Sequence, residues 1–110
     1  MIELIYQRRG DLVELCCRFR VERLSVFGSA ANGNFASGSS DLDFLVSFAE
    51  RQPTREYADR YLDLAAALET VFHRPVDLVT EQAVRNPYFR REVEITRQVV
   101  YERTGQSSAV

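Results

Sequence analysis

Residues 26–46 read VFGSAANGNFASGSSDLDFLV: an apolar pair runs into Gly28-Ser29, eleven mostly small and polar residues follow, and the chain then enters a segment with two aspartates. Leu42, Phe44, Val46 and Phe48 alternate there with Asp41, Asp43, Leu45 and Ser47, which makes residues 41–48 the clearest strand in the chain. Aspartate is depleted in strands, and two of them at i and i+2 project from one face, where their carboxylates repel. A solvated face, as in many half-buried antiparallel strands, accounts for an isolated D-x-D pattern. Here Asp77, in RPVDLV, repeats the arrangement on a second strand, with Val76 and Leu78 pointing one way and Asp77 the other, so carboxylates from two strands can converge.

Such a group of hard oxygen donors suits Mg²⁺, which prefers carboxylates and keeps positions free for water and substrate phosphates. Gly28-Ser29 closes the preceding strand with a glycine that permits close backbone approach, and with a hydroxyl and amides that can hold a phosphate. Phosphate together with two metal ions describes a phosphoryl- or nucleotidyl-transfer site.

Around this stretch helices and strands alternate without repeat or linker. Ile5, Leu12, Cys16 and Phe19 fall at helical spacing, which predicts an amphipathic helix over 3–19, broken or restarted at Gly10-Asp11. Residues 23–28 read as the first strand, and 75–79 as a short third one. After Pro53 a long helix is expected over about 54–72, its apolar stripe formed by Tyr57, Tyr61, Leu64, Ala65, Leu68 and Phe72. Asn86-Pro87 makes an N-cap and first-turn pair, so a last helix should occupy about 87–96 before a final strand at 98–102.

Composition narrows the function classes. The 110 residues, 45% of them hydrophobic, suit a single domain with a modest core, for which a partner or a homodimer is in keeping. A net charge of -2 supplies no general attraction to phosphate backbones, so stable nucleic-acid binding is not expected. All 14 basic residues are arginine, which reads as genomic composition. No apolar run is long enough for a membrane span and the N-terminus lacks a signal-peptide layout, so a cytoplasmic protein is expected. Cys16 and Cys17 are adjacent, which suits neither a disulfide framework nor a spaced metal site; both should be reduced, one of them in the core.

Phe27-Gly28-Ser29, eleven residues, Asp41-Leu42-Asp43 and then Asp77 on a later strand together resemble the pattern of the minimal nucleotidyltransferases of the DNA polymerase β-like superfamily. Members of that family are often encoded beside a HEPN-domain partner, as its antitoxin. The resemblance spans most of the chain, since NPYFRREVEITRQVVYE at 86–102 is similar to the C-terminal segment of short members. Where many members carry Arg or another phosphate-reaching residue before the loop glycine, this chain reads Ala31-Asn32-Gly33.

The resemblance implies an α/β (α+β) fold, a polymerase β-like palm with a mixed sheet and helices mainly on one face, as a single domain over 1–104 with a frayed tail at 105–110. Leu42, Phe44, Val46 and Phe48 would face the helices. It also implies that Asp41, Asp43 and Asp77 are catalytic and hold two Mg²⁺ ions, and that Gly28 and Ser29 bind the phosphates of ATP as substrate. AMP would pass to a hydroxyl of a partner protein, by analogy with related antitoxins a tyrosine of a HEPN-type toxin. Two other readings use the same fold: a non-catalytic antitoxin that neutralises its partner by contact, and a nucleotide-binding sensor without turnover.

Other residues have plainer readings. His73 beside Arg74 suits a cation at a helix C-terminus. Tyr57 and Tyr61 read as core, Arg90 and Arg91 as a solvated helix face, and Asn32, Asn34, Ser39 and Ser40 as turn chemistry.

Overall fold

The alternation at 41–48 becomes β2, the strand on which the rest of the molecule is assembled. In a computed structural model that describes residues 3–28, 41–50, 52 and 54–103, the elements run α1 (Glu3–Gln7), α2 (Arg9–Arg18), β1 (Val21–Phe27), β2 (Leu42–Phe48), α3 (Arg55–Phe72), β3 (Val76–Thr80), a 3₁₀ turn (Glu81–Ala83), α4 (Pro87–Thr96) and β4 (Gln98–Glu102). The four strands form one mixed sheet in the order β3-β2-β1-β4. β1 runs antiparallel to both β2 and β4, whereas β2 and β3 are parallel. A parallel pair cannot be closed by a tight turn, and α3 supplies the crossover between β2 and β3.

Period-two alternation decides which side chains of β2 meet α1 to α3. Leu42, Phe44, Val46 and Phe48 are all buried and share one cluster with Ile5 of α1, Leu12, Leu15 and Cys16 of α2, and Leu64, Leu68 and Phe72 of α3. These are the side chains expected to meet the helices. The opposite face carries a smaller apolar cluster, Phe27, Leu45, Val84 and Val93, with the Phe89 ring edge-on to Phe27 at 5.9 Å. Among the described residues, α1 to α3 therefore cover one face, and α4 crosses the other.

Caps define the helix ends, the one at Asn86 as the sequence announces. Thr54 accepts the Tyr57 amide at 3.1 Å to start α3, and Asn86 accepts the amides of Tyr88 and Phe89 at 2.9 and 3.3 Å to start α4, with Pro87 in its first turn. His73 ends α3 in the left-handed region at φ 55°, its amide bonded to the Glu69 carbonyl, so its place is that of a C-cap residue. The N-terminal helix breaks at Arg8 (φ -104°, ψ 19°), not at Gly10-Asp11. Gly10 lies inside α2, where a glycine costs a helix only about 1 kcal/mol. Both cysteines are free thiols, Cys17 exposed and Cys16 in the core, where burial pushes its pKa up to about 12.

Candidate active site

The parallel pairing of β2 with β3 sets Asp43 directly beside Asp77. The antiparallel pairing with β1 sets Phe27, and after it Gly28, on the other side of Asp43. Asp41 precedes β2 and is exposed, Asp77 is exposed, and Asp43 between them is half-buried. Burial holds the Asp43 carboxyl above the usual carboxylate range, and the Asp77 and Asp41 charges push it further in the same direction. The charges of Asp41 and Asp77 thus both reach Asp43 at one end of the sheet.

Gly28 makes this geometry possible. Its φ is +74°, and a Cβ built on it would stand 2.8 Å from Asp43 Oδ2, so the turn leaving β1 passes directly against the carboxylate. Its amide donates to Thr96 Oγ1 at 3.0 Å. Gly28 was expected to offer its amide to a phosphate, and in this fold the amide is engaged by the last residue of α4. Ser29, the other expected phosphate ligand, and Asn32, Asn34, Ser39 and Ser40 lie outside the described residues.

The donor set fits a hard divalent cation in its chemistry. The donors are carboxylate oxygens on adjacent strands, and positive charge there would offset the burial and the repulsion that together raise Asp43. Among the described residues, no three His, Cys, Asp or Glu side chains are gathered tightly enough to close a metal site unaided. Water and phosphate oxygens would have to supply the remaining positions, as is usual for Mg²⁺.

Beyond Leu45 on the same face lies a polar network that the sequence did not announce. Glu81 accepts from Arg23 Nη1 at 3.3 Å and from Arg97 Nη2, Arg97 Nε donates to the fully buried Ser25 Oγ at 3.0 Å, and Arg23 Nε donates to Glu102 at 3.2 Å. It ties β1, β4 and the 3₁₀ turn to the end of α4. Its members are far apart in sequence, and no local period marks them; the nearest signal was Arg97 and Thr96 at the junction of two expected elements.

Other candidates keep structural places. Tyr57 and Tyr61 pack against the main core and donate their hydroxyls to Gln82 Oε1 (3.2 Å) and to the Leu78 carbonyl. Arg90 donates to the Val84 carbonyl at 3.2 Å while remaining exposed, and Arg91 is exposed. No helix among the described residues is long and apolar enough to cross a membrane.

Comparison with known proteins bears on the family and the fold. The family model described as a nucleotidyltransferase domain matches residues 11–100. Two Methanocaldococcus jannaschii proteins, each named "putative protein adenylyltransferase", are 32% and 34% identical over 77 residues, covering 70% of this chain and 74% of each relative. A solved structure described as a "putative minimal nucleotidyltransferase" aligns with a TM-score of 0.69 at 34% identity, over 88% of this chain and 95% of that one. A chain of a toxin–antitoxin complex with AMP-PNP aligns at TM-score 0.67 and 20% identity, over 89% of this chain and 75% of its own length. A chain from the complex of tri-AMPylated Shewanella oneidensis HEPN toxin with MNT antitoxin aligns at 0.60 and 16%, over 89% and 72%. At those identities the last two bear on the fold alone, a four-stranded mixed sheet with helices.

Proposed function

The chain belongs to the nucleotidyltransferase domain family, and from that membership we propose that it transfers AMP from ATP to a hydroxyl of a partner protein, as the antitoxin of a HEPN-type toxin. It is a nucleotidyltransferase with a nucleoside triphosphate as substrate; the acceptor and the antitoxin role are what the proposal adds. The observation that carries it is the pairing of Asp43 with Asp77 on adjacent strands, with the Gly28 turn against Asp43 Oδ2. The protein-adenylyltransferase names of the M. jannaschii relatives support a protein acceptor.

In this reading Asp41, Asp43 and Asp77 hold Mg²⁺, and Ser29 with the amides that follow it binds the β- and γ-phosphates. When bound, Mg²⁺ supplies positive charge at the reacting phosphate and the leaving pyrophosphate and lowers the pKa of the attacking hydroxyl. The acceptor oxygen bonds to the α-phosphorus, the bond from that phosphorus to the bridging oxygen breaks, pyrophosphate departs, and the hydroxyl proton passes to a site carboxylate and on to water. The sheet contributes rigid placement of the carboxylates, and a folded acceptor brings its own hydroxyl in one orientation.

The test combines the purified protein, labelled ATP with Mg²⁺, and the product of the adjacent gene, read by intact mass for AMP-sized additions. The expected outcome is modification by the wild type and none by Asp43→Asn. An unmodified partner whose toxicity is suppressed equally by both forms would transfer the conclusion to a contact-only antitoxin.

A further inference from the structure

Thr96 is the last residue of α4, 68 positions from Gly28 in sequence and in hydrogen-bond contact with it. Its hydroxyl donates to the Glu92 carbonyl at 2.9 Å, which aims a lone pair at the Gly28 amide, 3.0 Å away. The next residue is clamped: Arg97 donates to buried Ser25 Oγ, to Glu81 and, through its amide, to the Val93 carbonyl. α4 is thereby fixed to β1 at two points, Ser25 and Gly28. Between Gly28 and Asp43 Oδ2 there is no slack, since even a single added carbon would stand 2.8 Å from the oxygen.

We propose that Thr96 is a positioning residue of the active site: its hydroxyl holds the positive-φ turn at Gly28 against the Asp43 carboxylate. The role rests on the nucleotidyl-transfer reading of the Asp41, Asp43 and Asp77 site. A helix that itself carries none of those three carboxylates thus takes part in shaping the site.

Thr96→Val keeps the branched shape and removes the acceptor, and Thr96→Ser keeps the acceptor. In nucleotide-free protein the Gly28 amide should exchange with solvent at least about tenfold faster in the valine variant and within about threefold of wild type in the serine variant. In steady-state transfer the valine variant should lose at least about tenfold in kcat with KM for ATP within about threefold, and serine should restore kcat. Unchanged Gly28 exchange in Thr96→Val, unchanged kcat, or a serine variant as defective as valine would each overturn the proposal. Wild-type protein that modifies no acceptor counts against the adenylyltransferase reading, whereas the exchange measurement decides the Thr96–Gly28 contact without any nucleotide.

Discussion

At Asp43 the fold carries a carboxylate that it tolerates better protonated than ionised, because the side chain is half-buried and faces two like charges. The folded protein therefore binds this proton more tightly than the unfolded chain does. Stability is lost as pH rises from the ordinary carboxylate value through the raised native one, and it stays lost at neutral pH. Asp43→Asn removes the ionisation, so the nucleotide-free, metal-free variant should melt about 1–3 °C above wild type at pH 7 and show no advantage near pH 3, solvent screening keeping the gain small. Melting curves across that range decide it; a variant less stable than wild type at pH 7 would mean that a cation partners the carboxylate in the fold. The aspartates were legible in sequence because carboxylates at alternate strand positions contradict strand chemistry and so call for an explanation. Thr96 was not, because a threonine at a helix end violates nothing.

Among the elements, the two described glycines separate by conformation. Gly28 at φ +74° cannot accept a side chain without strain and collision, whereas Gly10 lies on the exposed side of α2 with open space where a Cβ would go. Gly10→Ala should stabilise the protein by about 0.5–1 kcal/mol, a rise of about 3–6 °C in melting temperature, with transfer activity unchanged. A fall in melting temperature would show that the α1–α2 junction needs the freedom of glycine after all. The cap at Asn86 could be read directly, since its side-chain oxygen sits over the amides two and three residues along, whereas Thr54, expected as the first residue of its helix, caps it instead. The break at Arg8 could not be read, because it has no residue signature.

For the molecule as a whole, stability rests on the apolar layer between β2 and the three helices α1 to α3. Leu64 of α3 is fully buried in that layer, and Leu64→Ala should cost about 2–5 kcal/mol, a large part of the 5–15 kcal/mol typical of small domains. Urea unfolding should report a lower midpoint with an unchanged slope; a loss below about 1 kcal/mol would mean that the layer collapses around the gap. Sequence alone determined the elements and the faces: a period of two along 41–48 requires Leu42, Phe44, Val46 and Phe48 to be buried together and Asp41 and Asp43 to share the other side. Only the tertiary structure decided which strands are neighbours, and hence that Asp77 lies beside Asp43. It alone also brought α4 across the second face, engaging the Gly28 amide with Thr96. Local periodicity reports which way a side chain points, but contacts 34 and 68 positions apart depend on how the layers close on one another, and no window of sequence contains both partners.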